Sequence, residues 1–219
     1  WLVDELLQKR IEPDWRALLR CICRDGTPDR VHHIELFLDP EVKDLVCQRF
    51  DLDGALDPND RHYWWRREIA IQRFLGYDYV RAGLDAMDWP MHHNVADDTA
   101  AAARAGGRSY IDEHTGPITS WADFERYPWP DPARGSTEAL DFYQRELPDG
   151  MCIIGGGGFG HFAEHLVWLM GYETLCIALF EQRDLVEAIA DRLVAIFAGV
   201  LERILAYDRV RLTWGSDDM

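Results

Sequence analysis

Hydrophobic positions along the chain switch between a helical and an alternating period, and the switches predict its elements. Residues 14–23 place Trp15, Leu18, Leu19 and Ile22 at helical spacing, and Asp25, Gly26, Thr27 and Pro28 end that helix. Residues 30–37, RVHHIELF, set Val31, Ile34 and Leu36 among polar neighbours and predict a first strand. Pro40 opens a second helix, PEVKDLVCQRF, with proline and acid in its first turn as helix N-termini favour. Residues 59–75 form a third, with Tyr63, Trp64 and Phe74 on one face and Gly76 as its stop. YDYVRAGL, residues 77–84, predicts a second strand.

A long polar excursion, residues 85–134, follows; it holds His92 and His93, a predicted hairpin around RSYIDEHTGPI, and the proline-rich YPWPDPA. Its length marks it as an insertion that carries function or caps a site. Residues 138–145 predict a helix, 151–154 a third strand and 159–180 another helix. In 184–206, Leu185, Ile189, Leu193, Ile196, Phe197, Val200, Leu201, Ile204 and Leu205 make one apolar face, and RVRLTW, residues 209–214, predicts a fourth strand. Strands alternating with amphipathic helices predict a parallel α/β fold: half of an eight-stranded barrel, or most of a doubly wound sheet.

Composition narrows the partners. Lys and Arg number 23 against 39 Asp and Glu, and a net charge of −16 repels nucleic acid and anionic membrane. With 47% hydrophobic residues the chain can bury a sizeable core. The five cysteines are spread out and suit reduced thiols in a cytoplasmic protein, and Cys21-x-Cys23 lacks a second ligand pair at zinc spacing. No apolar stretch is long enough to span a bilayer. The chain begins without methionine and stops just after the fourth strand, which reads as a fragment whose open sheet edges a second copy, or residues beyond it, would cover.

Two catalytic signatures overlap in MCIIGGGGFGHFAEH, residues 151–165. Gly155, Gly157 and Gly160 spell G-x-G-x-x-G after an apolar run, the pattern of a dinucleotide-binding turn. That reading needs a strand ending in an acid about 20 residues on, whereas the helical pattern runs on almost to Ala206. His161, Glu164 and His165 spell H-x-x-E-H, which sets two imidazoles one turn apart as in inverted zinc peptidases. The alternative is a turn at the mouth of a site, followed by histidines on a helix surface or lining a pocket.

Other candidates lie at predicted strand ends. His32 and His33 face opposite ways on a strand, and Glu35 shares the side of His33, giving either an acid/base pair or a hydrogen-bonded structural one. Asp217 and Asp218 follow the fourth strand, either as catalytic carboxylates or as a solvated loop. Arg81, Asp85, Gly155, Gly156, Gly157, Gly158 and His161 are the substrate-binding candidates.

TSWADFERYPWPDP (119–132), GGGGFGHFAEHLVWLMGYETL (155–175), FEQRDLVEAIADRL (180–193) and DRVRLTWGSDDM (208–219) together resemble the uroporphyrinogen decarboxylase superfamily, which includes cobalamin-dependent thiol methyltransferases. The resemblance implies a (β/α)8 TIM barrel, of which this chain would supply the first half, four parallel strands in one domain. It also implies a small-molecule substrate and, in the methyltransferase branch, a corrinoid protein as partner and a zinc held by residues beyond this chain. The decarboxylases' arginine pair falls at His33 and Phe37, and their pyrrole-binding aspartate at Gly83, with Asp85 nearby. A substrate with many carboxylates needs cationic forks, so the resemblance favours methyl transfer or other small-molecule chemistry over porphyrin biosynthesis.

Overall fold

The computed structural model of the chain describes residues 10–35, 37–99, 106–156 and 159–217. Its elements, in chain order, begin with helices α1 (Trp15–Ile22), α2 (Pro40–Phe50) and α3 (Tyr63–Leu75), then strands β1 (Tyr79–Gly83), β2 (His93–Ala96) and β3 (Arg108–Ile111). Helix α4 (Trp121–Arg126), a 3-10 turn at Pro132–Arg134, α5 (Glu138–Glu146) and strand β4 (Cys152–Gly156) follow. Helices α6 (Phe162–Met170), α7 (Tyr172–Glu181) and α8 (Arg183–Ile204) precede strand β5 (Val210–Thr213). The chain divides into two compact units: Trp1–Ala82 with Glu138–Gly155 and Tyr207–Leu212, and Gly83–Thr137 with Gly156–Ala206 and Thr213–Met219.

The first unit is built on a three-stranded sheet in the order β1-β4-β5. Cys152 N–H donates to the Asp78 carbonyl at 3.0 Å and Ile153 N–H to the Arg209 carbonyl at 2.8 Å, so β4 is the central strand. A strand paired on both edges and covered on both faces needs apolar residues without alternation, which is why Met151, Cys152, Ile153 and Ile154 form a continuous run, all buried. Asp14 caps α1 by accepting from Ala17 N–H at 3.0 Å. Arg67 of α3 is buried and satisfied by Asp53 and Asp44, each at 2.7 Å, beneath the buried Cys47. A charge can be buried there because carboxylates meet it on two sides.

The second unit gathers its helices around Ile118, Leu169, Met170, Leu185, Ile189 and Leu193, all fully buried. The excursion 85–134 contributes Trp89, Met91, Ile118, Phe124, Tyr127 and Trp129 to that core, so its apolar residues are structural. The helix predicted over 159–180 is broken at Gly171, between α6 and α7. Gly171 takes φ +79° and ψ 141°, and a Cβ there would lie 2.6 Å from the His114 carbonyl oxygen. Gly171→Ala is therefore expected to cost roughly 1–3 kcal/mol from backbone strain alone. Thermal unfolding should show a fall of several degrees, and an unchanged midpoint would refute the close-approach argument.

The hairpin differs from the one expected. Residues 108–111 pair antiparallel with the upstream β2, His93 opposite Ile111 and Ala96 opposite Arg108. Downstream, Ile118 N–H donates to the Leu169 carbonyl at 2.9 Å, and a Cβ on Gly116 would lie 2.3 Å from that same oxygen. Residues 113–118 are thus committed to the end of α6 and cannot return along β3, the Glu113 carbonyl accepting from Tyr172 N–H at 2.8 Å.

The barrel expectation is corrected. Among the described residues the strands form one three-stranded sheet and one separate two-stranded hairpin, and neither closes. A closed barrel of the expected type needs eight strands in mutual register. The predicted first strand is absent as well, since the described residues of 30–37 lie outside any strand. Side chains of the fold bind this segment instead of a backbone ladder: Glu35 N–H donates to the Tyr79 hydroxyl at 2.9 Å, and Arg30 and His32 bind Asp78. Val31 and Phe37 are left exposed. Among the described residues no helix is long and apolar enough to cross a membrane.

Candidate functional site

In the second unit, the chain that leaves β4 reaches the start of α6 through Gly160, at φ +90°. A Cβ on Gly160 would lie 2.7 Å from the Gly215 Cα, so this glycine permits two backbone segments to cross. His161 is the residue before the first turn of α6 but makes no capping bond with its side chain. Asp217 caps the helix in its place, accepting from Ala163 N–H at 2.8 Å and Glu164 N–H at 3.2 Å. A carboxylate is favoured there by the unsatisfied donors and the positive end of the helix dipole.

With the cap supplied from elsewhere, the His161 imidazole is released for other contacts. Its Nδ1 lies 2.5 Å from Glu164 Oε2 and 3.5 Å from Ser216 Oγ. An ionised carboxylate accepts only, so Nδ1 carries the hydrogen and, in the neutral ring, Nε2 is left as the proton acceptor. His161 and Glu164 keep side-chain exposures of 29% and 31%, so solvent or a ligand reaches both.

His165, one turn on, is a different kind of histidine. Its Nδ1 donates to the His161 carbonyl at 2.6 Å, and its ring is enclosed by Trp89, Trp168 and Phe197 at centroid distances of 4.7, 4.9 and 5.2 Å. Burial pushes its pKa down to about 4, which keeps it neutral at neutral pH. The H-x-x-E-H spacing thus produces a histidine–carboxylate pair and a core histidine. No group of three or more His, Cys, Asp or Glu is arranged to hold a metal among the described residues. The zinc of the methyltransferase branch finds no ligand set among them either.

His161 and Asp217 are brought to one helix end, Asp217 as its cap. His33 packs edge-on against Tyr77, with ring centroids 6.1 Å apart, and the Glu35 backbone is held by the Tyr79 hydroxyl. Arg81 lies in β1, Gly155 and Gly156 end β4, and Asp85 forms an isolated backbone bridge with Ser136. Gly157, Gly158 and Asp218 lie outside the described residues.

Sequence reasoning took His33 forward, not His32, and overlooked Asp78. In the first unit His32 Nδ1 lies 2.7 Å from Asp78 Oδ2, while Asp78 Oδ1 accepts from Arg30 and, at 2.6 Å, from Asp14 N–H. Asp78 is fully buried. An aspartate embedded in the aromatic and β-branched run YDYV was the available signal, because a charge buried there demands partners. Comparison with protein-family models, with curated proteins and with solved structures finds no match to this chain.

Proposed function

We propose that the chain carries the proton-transfer site of a small-molecule enzyme, with His161 exchanging the proton and Glu164 fixing its tautomer. The observation that carries this reading is the 2.5 Å contact between His161 Nδ1 and Glu164 on a half-exposed helix end. A carboxylate on one imidazole nitrogen orients the other and stabilises the imidazolium that forms when it takes a proton. Trp168, with its ring centroid 5.9 Å from that of His161, supplies an apolar wall.

Within the family that the sequence resembles, this site suits thiol methyl transfer with a corrinoid methyl donor better than uroporphyrinogen decarboxylation. Glu164 and Asp217 flank His161, and among the described residues neither is ion-paired to Lys or Arg. A substrate bearing many carboxylates would meet like charge there. The open sheet lends the family no support; the four sequence stretches carry it. In the proposed step a substrate S–H would give its proton to His161 Nε2, and the thiolate would take the methyl group, the S–C bond forming as the donor's cobalt–carbon bond breaks and the corrinoid keeps the electron pair.

The protein is to be incubated with methylcobalamin and a panel of small thiols, following the loss of methylcobalamin absorbance. His161→Gln should slow the reaction ~100-fold or more, the scale of a lost general base. Equal rates in the two proteins, or formation of coproporphyrinogen from uroporphyrinogen, would overturn the reading.

A further inference from the structure

Where β4 and β5 begin, the first unit holds a cavity of about 440 Å³ whose walls include Trp15, Arg16, Asp149, Asp208, Arg209 and Arg211. Three arginines around one small cavity stand out in a chain with a net charge of −16. Arg209 is occupied: its guanidinium donates to the carbonyls of Leu147, Pro148 and Met151, at 2.9, 3.0 and 3.2 Å, and closes the turn between α5 and β4. Arg16 and Arg211 are not. Among the described residues neither is ion-paired to a carboxylate, and both are exposed.

Trp15 holds this pair. The guanidinium carbons of Arg16 and Arg211 lie 4.3 and 5.0 Å from its ring centroid. A cation–π contact places the charge and consumes no N–H donor, so the hydrogen-bonding capacity of both cations is kept. The indole is itself fixed, its Nε1–H donating to the Asp149 carbonyl at 3.1 Å and its backbone N–H to the Gly150 carbonyl at 2.9 Å. Two carboxylates share the walls: Asp149, whose side chain is fully exposed and 3.5 Å from Arg209, and Asp208. The Cys152 thiol at the cavity floor adds no negative charge, because burial pushes its pKa up to about 12.

We propose that this cavity binds a small dianion, a phosphate monoester or a dicarboxylate, through the guanidinium groups of Arg16 and Arg211. Two unspent cations match two negative charges, and each offers the paired N–H geometry that phosphate and carboxylate oxygens accept. Polyanions are disfavoured, since the field of the whole chain repels them at longer range. Trp15 acts as a positioning residue, its ring already covered by the two arginines.

Calorimetric titration of the protein at low ionic strength with inorganic phosphate and with malonate tests the site. Saturable binding of at least one probe is expected, weakened ~10- to 100-fold in Arg16→Gln and in Arg211→Gln, as for a lost charged hydrogen bond. Arg183→Gln, which removes an exposed arginine elsewhere, should leave the affinity unchanged. Tighter phosphate binding identifies the phosphate-ester class and tighter malonate binding the dicarboxylate class; either upholds the site. No saturable binding of either probe below about 10 mM, or undiminished binding in the Arg16→Gln/Arg211→Gln double variant, overturns it. Both substitutions lie at exposed positions, and a circular-dichroism melt matching that of the parent keeps a loss of binding separate from a loss of fold.

Discussion

Replacing Asp78 by alanine is expected to destabilise the fold by about 3–5 kcal/mol, the scale for removing one partner of a buried charged pair. The carboxylate is fully buried and bound by three groups: Arg30, His32 and the Asp14 backbone N–H. Its loss leaves the His32 ring, with its side chain only 2% exposed, and the Asp14 N–H without an acceptor. It also loosens residues 30–35 from the sheet, leaving them the Tyr79 hydroxyl on Glu35 and the His33 contact with Tyr77. Urea unfolding should show a lower midpoint with little change in slope, and hydrogen exchange should quicken over the same segment. His32→Ala added to Asp78→Ala should cost little more, since the two share one interaction. A midpoint within error of the parent would mean that the network contributes no net stability.

Acid should weaken the fold through His165. Its pKa lies near 4 in the folded protein and near 6.5 when unfolded, so below 6.5 the unfolded chain binds more protons. The contribution is complete above pH 6.5, declines as the pH falls, and is fully lost below about pH 4. At 1.36 kcal/mol per unit, the whole effect is about 3 kcal/mol. His165→Phe, which keeps a ring among Trp89, Trp168 and Phe197, should flatten stability between pH 6.5 and 4, at the expense of the bond to the His161 carbonyl. An unchanged pH slope in that variant would assign the acid sensitivity to other groups.

Local patterns made much of this chain legible. Periodicity located α1, α2, α5 and α8 to within a few residues, and it located β1, β4 and β5, because an apolar stripe or run reflects burial whatever the partner. The glycines that end helices and the net charge of −16 were equally open to reading. Pairing was not legible. Residues 30–37 have the composition of a strand, yet Asp78 and Tyr79 bind them through side chains from more than 40 positions away, and no pattern within eight residues records that. The unbroken apolar periodicity of 159–180 hid the break at Gly171, whose cause is the carbonyl of His114 in another segment.

The candidate site divides the same way. The spacing of His161, Glu164 and His165 on one helix is a property of sequence, since residues three and four apart share a face. Which of the two histidines reaches solvent was decided by Trp89 and Phe197, and the role of Asp217 by its approach to the N-terminus of α6. A barrel half expected from resemblance became an open sheet for a related reason: strand count and closure depend on which edges find partners, and those partners are distant in sequence. Burial and helical phase are short-range consequences of the chain, whereas hydrogen-bond partners and desolvation exist only once remote segments meet.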